Sequence, residues 1–296
     1  MENLITINGT GALRDPEDIR DYKAEELFGA VKVDWSKPTG IVPIKARNQG
    51  LSSSCTGQAT SYYHDVLDPN PDDPYSARDI YSQIYLPQGG AYIRDAVLFP
   101  LKRGHARRSE VPEPQPQSEV SMRDRTGINP KDELDGKVFD AYVLPEKDIE
   151  YTAWAIQNFK GVVLGVELSS EGWQNPEFPR PPLPGEKYEG HCLYGADLAM
   201  INGKKYIKCA SSWNETQQYH YLGEDYFLSG FVFNPWVIIP KKNMRKYYKV
   251  NDNGTLGILV REELTGSLMM AKDLDTYNAL ISGFEVPDNA PIINLN

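Results

Sequence analysis

The spacing of hydrophobic positions changes partway along the chain. Cys55, Ala59, Tyr62 and Val66 fall at i, i+4, i+7 and i+11, one face of a 3.6-residue period, and predict a helix opening on the cysteine. Ser52, Ser53 and Ser54 all suit an N-cap, so the helix start has several candidate boundaries. SARDIYSQIYL and AYIRDAVLFPLKRG read as the next helices. Between them lies Gln88-Gly89-Gly90, a backbone that a ligand can approach closely. After Val138 the period shortens. DIEYTAWAIQNF is one more amphipathic helix, and GVVLGVEL, HCLYGADLAMI, KKYIKCAS, EDYFLSGFVF and WVIIP read as strands, with a hairpin signal at Asn202-Gly203. Helices first and antiparallel strands second predict an α+β protein with a cleft between its halves.

Outside these runs the pattern weakens. Residues 1–40 are polar and turn-rich, and DPEDIRDYKAEELF reads as a short helix or a segment wrapping the domain surface. Residues 107–135 are charged and proline-rich, a surface excursion. So is the loop QNPEFPRPPLPGEKYEG rich in proline. In 241–296, KKNMRKYY reads as a basic connection, TLGILV and GSLMMA as a hairpin and DLDTYNALISGF as a helix, a ββα extension without Cys or His. The expected organisation is an N-terminal segment (1–40), a main domain (41–240, helical to 137 and β from 138) and this extension (241–296).

Composition narrows the possible functions. At 296 residues, 40% hydrophobic and 24% charged, the chain can bury a large core. A net charge of -10 argues against nucleic acid or an anionic membrane as partner. Three cysteines imply no disulfide framework and favour a reducing compartment. No secretory signal and no apolar run of about 18 residues is visible, so a cytoplasmic protein is expected.

Cys55 is the candidate nucleophile. A thiol in the first turn of a helix sits among unpaired N–H groups at the positive end of the dipole, which lowers its pKa. Gln49, six residues earlier, can donate a side-chain N–H near the sulfur. The base must be one of four histidines. His64, nine residues on, falls on the opposite helix face and reads as a surface or packing residue. His105 sits in a basic turn, and His220 in a tyrosine-rich loop is a weaker rival. His191 opens a strand 136 residues after Cys55 and can face a cleft. A metal site built from Cys55, His191, Cys192 and Cys209 is disfavoured, because adjacent strand residues point to opposite sides. Cys192 and Cys209 read as small core residues.

Five segments in order carry a resemblance. VPIKARNQGLSSSCTGQAT resembles the papain-family segment in which Gln-Gly precedes the catalytic cysteine, and Gly89-Gly90 resembles the family's substrate-holding glycine pair. GHCLYGADLAM, KYIKCASSWNE and GEDYFLS are similar to the His strand, the Asn-Ser-Trp-Gly strand and the segment after it. RDPEDIRDY is similar to the N-terminal approach of bacterial and phage-type members. The resemblance implies a two-lobed fold and a cysteine peptidase that forms a thioester acyl-enzyme. Cys55 would be the nucleophile, His191 the acid and base, and Gln49 with the Cys55 N–H the oxyanion hole. Gly89, Gly90 and Gly190 would hold a polypeptide substrate in the inter-lobe cleft, and Trp213 would shield the histidine. No cofactor or metal is implied. The chain departs from the family in four places. Ser211 replaces the Asn that orients the histidine, Asn214 takes a glycine position, Thr56 follows the cysteine, and Ser52 replaces a half-cystine. Some 40 residues precede the main domain, too few for the family's usual inhibitory pro-region. The alternative is a papain-fold protein with weak or no catalysis, a binding or structural component of a phage particle; oligomeric state is left open.

Overall fold

The first regular element is only two residues long. Strand β1 (Ala12–Leu13) is followed by the short helix α1 (Ala24–Phe28). The computed structural model describes residues 10–41, 46–128, 139–213, 219–240, 245–252, 255–262, 268–271 and 292–294. The chain divides into two compact units, Met1–Ile238 and Ile239–Asn296.

Helices α2 (Cys55–Leu67), α3 (Ala77–Ile84) and α4 (Ile93–Arg103) follow, with the two-residue strand β2 (Ala91–Tyr92) just before α4. Ser76 caps α3 by accepting the Asp79 N–H at 3.3 Å. The proline-rich stretch after α4 holds one more helical turn, α5 (Glu119–Arg123), which corrects the reading of 107–135 as irregular throughout. A capping box fixes it, Ser118 and Ser121 each bonding the other's backbone N–H.

The second half begins with strand β3 (Phe139–Val143) and helix α6 (Ile149–Phe159), whose N-cap Asp148 accepts the Tyr151 N–H at 2.9 Å. Strands β4 (Val162–Leu168), β5 (Glu189–Ile201), β6 (Lys204–Ala210) and β7 (Tyr219–Gly223), the turn of helix α7 (Glu224–Leu228) and strand β8 (Val232–Pro240) complete it. They form a six-stranded sheet in the order β3-β8-β4-β5-β6-β7. The β5–β6 hairpin turns through Asn202 and Gly203, both at positive φ (51° and 75°), as Asn-Gly hairpins do.

Two expectations need correction. Residues 219–223 are a strand and not a loop, because Tyr219 to Gly223 pair with Ala210 to Tyr206 of β6. EDYFLSGFVF is a strand only from Val232. Gly223 breaks β7, and Glu224 and Asp225 then place negative charge in the first turn of α7, where it suits the helix dipole.

In the second unit, β9 (Arg245–Asp252), β10 (Thr255–Glu262), β11 (Leu268–Ala271) and β12 (Ile292–Asn294) form a sheet in the order β11-β10-β9-β12. The β10–β11 hairpin matches the expected one, with Ile258 opposite Ala271. The second half of the stretch read as a basic connection, Arg245–Tyr248, belongs to strand β9, paired along its length with β10, and 241–244 lie outside the described residues. The helix expected at DLDTYNALISGF lies outside the described residues.

The core lies between α2 and the six-stranded sheet. Cys55, Ala59, Tyr62 and Tyr63 pack against Val163, Cys192, Tyr194, Phe233 and Trp236. Close packing demands Gly165 on β4, where a Cβ would lie 2.3 Å from the Phe233 ring. Behind α2 lies a charged cluster. The buried Arg47 guanidinium donates to Asp65 at 2.6 Å, to the Tyr75 carbonyl at 2.7 Å and to Glu113 at 3.3 Å. Next to it His64 and His105, both buried, meet Nδ1 to Nδ1 at 2.7 Å, and His105 Nε2 donates to the Ser76 carbonyl. His64 is thus a packing residue, and His105 supports the helical half rather than a basic turn.

Two stability effects follow. Arg47→Met leaves Asp65 and Glu113 buried beside an apolar chain, and should lower the free energy of unfolding by roughly 3–5 kcal/mol in urea titrations. Burial holds the imidazoles of His64, His105 and His220 below the ordinary value of 6.5, His105 at about 3 and His220 at about 4. Below pH 6.5 the unfolded chain binds protons that the folded chain refuses. Stability should therefore be complete above about pH 6.5 and fall as the pH drops towards 4. A urea midpoint that stays flat across that window contradicts the assignment.

Candidate active site

The segment before α2 is a tight turn pinned at both ends. Gly50 has φ 55°, and a Cβ there would meet the Gln117 carbonyl oxygen at 2.4 Å, so only glycine fits. The Gln49 N–H donates to the Ser212 carbonyl at 2.8 Å, and Ser212 Oγ donates to Gln49 Oε1 at 2.6 Å. Gln49 Nε2 donates to the Ser52 carbonyl at 2.8 Å, which fixes the amide beside the turn that leads to Cys55. Ser54 occupies the N-cap position without capping; its hydroxyl meets Ser52 Oγ at 2.8 Å.

Cys55 is fully buried at the first position of α2. It shares a buried cluster with Ala12 and with Cys192, the residue after His191. His191 opens the inward part of β5 opposite Val166, and its ring stacks on Trp213 with centroids 4.2 Å apart at 25°. Trp173 in turn packs edge-on against Trp213 at 5.3 Å. Thus Cys55, His191, Gln49 and Trp213 are brought together. Ser211 is also buried here, and its hydroxyl has no hydrogen-bond partner among the described residues; its carbonyl accepts the Tyr62 hydroxyl at 3.1 Å. Asn214 lies outside the described residues. Cys192 and Cys209 are buried in the sheet, and no group of three or more metal-ligating side chains occurs among the described residues.

Burial also acts on the Cys55 thiol. Burial pushes its pKa up to about 12, outweighing the surrounding N–H groups, so the expected lowering at the helix start is reversed. Ala12 of the N-terminal segment is among the residues packed in the same buried cluster. β1 pairs with β2 in parallel, Ala12 opposite Ala91. The Gly11 N–H donates to the Gly190 carbonyl and the Ala91 N–H to the Gly11 carbonyl, both at 2.9 Å. Gly11–Ala12 therefore bridges the two walls at the glycines expected to hold a substrate. A Cβ on Gly90 would lie 2.1 Å from the Gly11 oxygen, and one on Gly190 would lie 2.0 Å from the Ala12 oxygen.

This strap escapes a sequence reading because its strand exists only through pairing. Its one legible sign is the run of small residues Thr10-Gly11-Ala12 ahead of the charged RDPEDIRDY segment. That segment is the clamp. Asp15 accepts the Arg94 N–H at 3.0 Å and the Trp236 indole N–H at 2.9 Å, and Arg94 pairs with Asp21 and the Pro16 carbonyl. Arg14 pairs with Glu167 at 2.9 Å and Glu146 at 3.4 Å. Residues 10–15 thus lie across Gly90 and Gly190.

No family model and no curated protein matches the sequence. Solved structures do match. Xylellain, a cysteine protease from Xylella fastidiosa, is 19% identical, with a TM-score of 0.60 over 79% of this chain and 96% of that one. Procathepsin B S9 from Trypanosoma congolense is 14% identical, with a TM-score of 0.57 over 78% and 86%. Digestive procathepsin L 3 of the Tenebrio molitor larval midgut is 15% identical, with a TM-score of 0.53 over 79% and 77%. The fold is that of the papain-like cysteine proteases.

Breaking the clamp should expose the thiol. Arg94→Ala removes the pairings to Asp21 and the Pro16 carbonyl, and Cys55 alkylation by iodoacetamide should rise about tenfold or more. Mass mapping should show Cys192 and Cys209 unchanged; a uniform rise at all three would mean general unfolding.

Proposed function

We propose that the protein is a cysteine peptidase held in a self-occluded state by residues 10–15. The observation that carries the reading is the packing of Cys55, at a helix start, with Cys192, whose neighbour His191 stacks on Trp213. Once the strap leaves, water and the helix dipole reach Cys55 and its pKa falls. His191 takes the thiol proton, and the thiolate attacks a peptide carbonyl carbon. The resulting oxyanion is stabilised by Gln49 Nε2 and the Cys55 N–H. Protonation of the leaving amine by the His191 imidazolium breaks the C–N bond and leaves a thioester. Water, giving its proton to His191, then hydrolyses that thioester and restores the thiol. Trp213 keeps water from one face of the imidazole, and Gly89, Gly90 and Gly190 leave room for the substrate backbone. Ser211 takes the sequence position of the Asn that orients the imidazole in papain-like proteases.

A second reading rests on Ser211, whose hydroxyl is buried without a described partner. A loosely oriented His191 would make catalysis weak and leave the cleft as a binding surface in a structural component, such as one of a phage particle.

The test is run on the strap-released Arg94→Ala chain. Peptide hydrolysis and irreversible labelling by a cysteine-reactive epoxide should both appear. Cys55→Ala should abolish both, and His191→Ala should lower kcat by about a hundredfold or more. Equal, slow labelling of Cys55 and Cys192 without hydrolysis would falsify the peptidase reading and favour the second.

A further inference from the structure

The place beside the thiol is narrower than a groove for side chains. Gly11 donates to the carbonyl of Gly190, the residue before His191, and lies against Ser53, two residues before Cys55, while Ala12 shares a buried cluster with Cys55. A Cβ on Gly11 would lie 2.4 Å from the Ser53 carbonyl oxygen and 2.6 Å from Ser53 Cβ. The other two walls are the backbone at Gly90 and Gly190, to which Gly11 is tied through the Gly190 carbonyl and the adjoining Ala91 N–H. All three sides are main chain or close to it, so none can swing away as a long side chain would.

The width of this slot is set by one carboxylate. Glu119 Oε2 accepts the Ser53 N–H at 2.7 Å, and Oε1 accepts the Tyr81 hydroxyl at 2.5 Å and Arg123 Nε at 2.6 Å. The Tyr81 oxygen accepts the Gly90 N–H at 3.1 Å. Glu119 therefore holds the Ser53 wall directly and the Gly90 wall through Tyr81, fixing the distance between them.

We infer that the cleft is glycine-selective: it takes polypeptides with glycine at the residue held between Ser53, Gly90 and Gly190, and Glu119 is the positioning residue that keeps it so. The inference rests on the peptidase reading for its substrate, but its geometry can be tested without turnover. In the otherwise unaltered full chain, Gly11→Ala adds a methyl group for which the slot has no room. Cys55 alkylation by iodoacetamide should rise about tenfold or more as the strap is displaced. An unchanged rate, with Gly11→Leu also unchanged, overturns the slot.

The second arm uses the full-length Arg94→Ala chain and a mixed peptide library read by mass spectrometry. Cleavage sites should carry glycine within one residue of the scissile bond, and replacing that glycine by alanine should lower kcat/KM about tenfold or more. Adding Glu119→Gln should shrink the glycine-to-alanine ratio to below about threefold while epoxide labelling of Cys55 persists. A merely structural Glu119 would lower both substrates together and leave the ratio, which overturns its positioning role. Cleavage indifferent to glycine overturns the selectivity and leaves the peptidase standing. Alkylation that responds to Gly11→Ala with no peptide cleaved overturns the peptidase reading and leaves the slot.

Discussion

The site depends on a short crossing between the helical and β halves, where Gln49 and Ser212 exchange two hydrogen bonds and Asn48 bridges to Trp213. The crossing fixes the Gln49 amide and, three residues beyond it, the turn that delivers Cys55. On the other side it fixes the strand end whose Trp213 covers the His191 ring. Cys55 and His191 thus come from elements far apart in sequence but are located against one pair of backbone segments. Arg47, two residues upstream, secures the same crossing from behind: its N–H donates to Tyr62 on α2 and its guanidinium binds buried carboxylates. Placing the charge there carries a desolvation cost, met by three acceptors around the guanidinium.

The same walls explain how the protein closes its own cleft. Three glycines leave main-chain groups bare on either side of the thiol, and bare main-chain groups bind main chain. The nearest chain able to do so is the segment that precedes the domain. Pairing alone would be weak at two residues, so the charged residues after it supply the remaining hold through Arg14, Asp15 and Arg94. Asp15 lies in a setting that raises its pKa to about 6, chiefly by burial, so the clamp is built from groups that prefer water once released.

Regular elements were legible wherever one residue set served one period. Cys55, Ala59 and Tyr62 do face the sheet, and the Asn202-Gly203 turn lies where its residue types place it. What escaped was structure made by partners distant in sequence. β7 is a strand because β6 lies beside it, α5 persists through its capping box and Glu119, and β1 exists through Ala91 and Gly190. The His64–His105 contact joins residues whose local patterns have nothing in common. The candidate site was largely legible, since Cys55, His191, Gln49 and Trp213 converge. Its burial was not, because the residues packed around Cys55 come from segments far away in sequence, among them Ala12, Val163 and Trp236.

That burial bears on how long the thiol lasts. Peroxides and disulfides react with thiolate, and a thiol whose pKa is about 12 presents almost none near neutrality. Burial itself also keeps dissolved oxidants away from the sulfur, since Cys55 has no exposed surface.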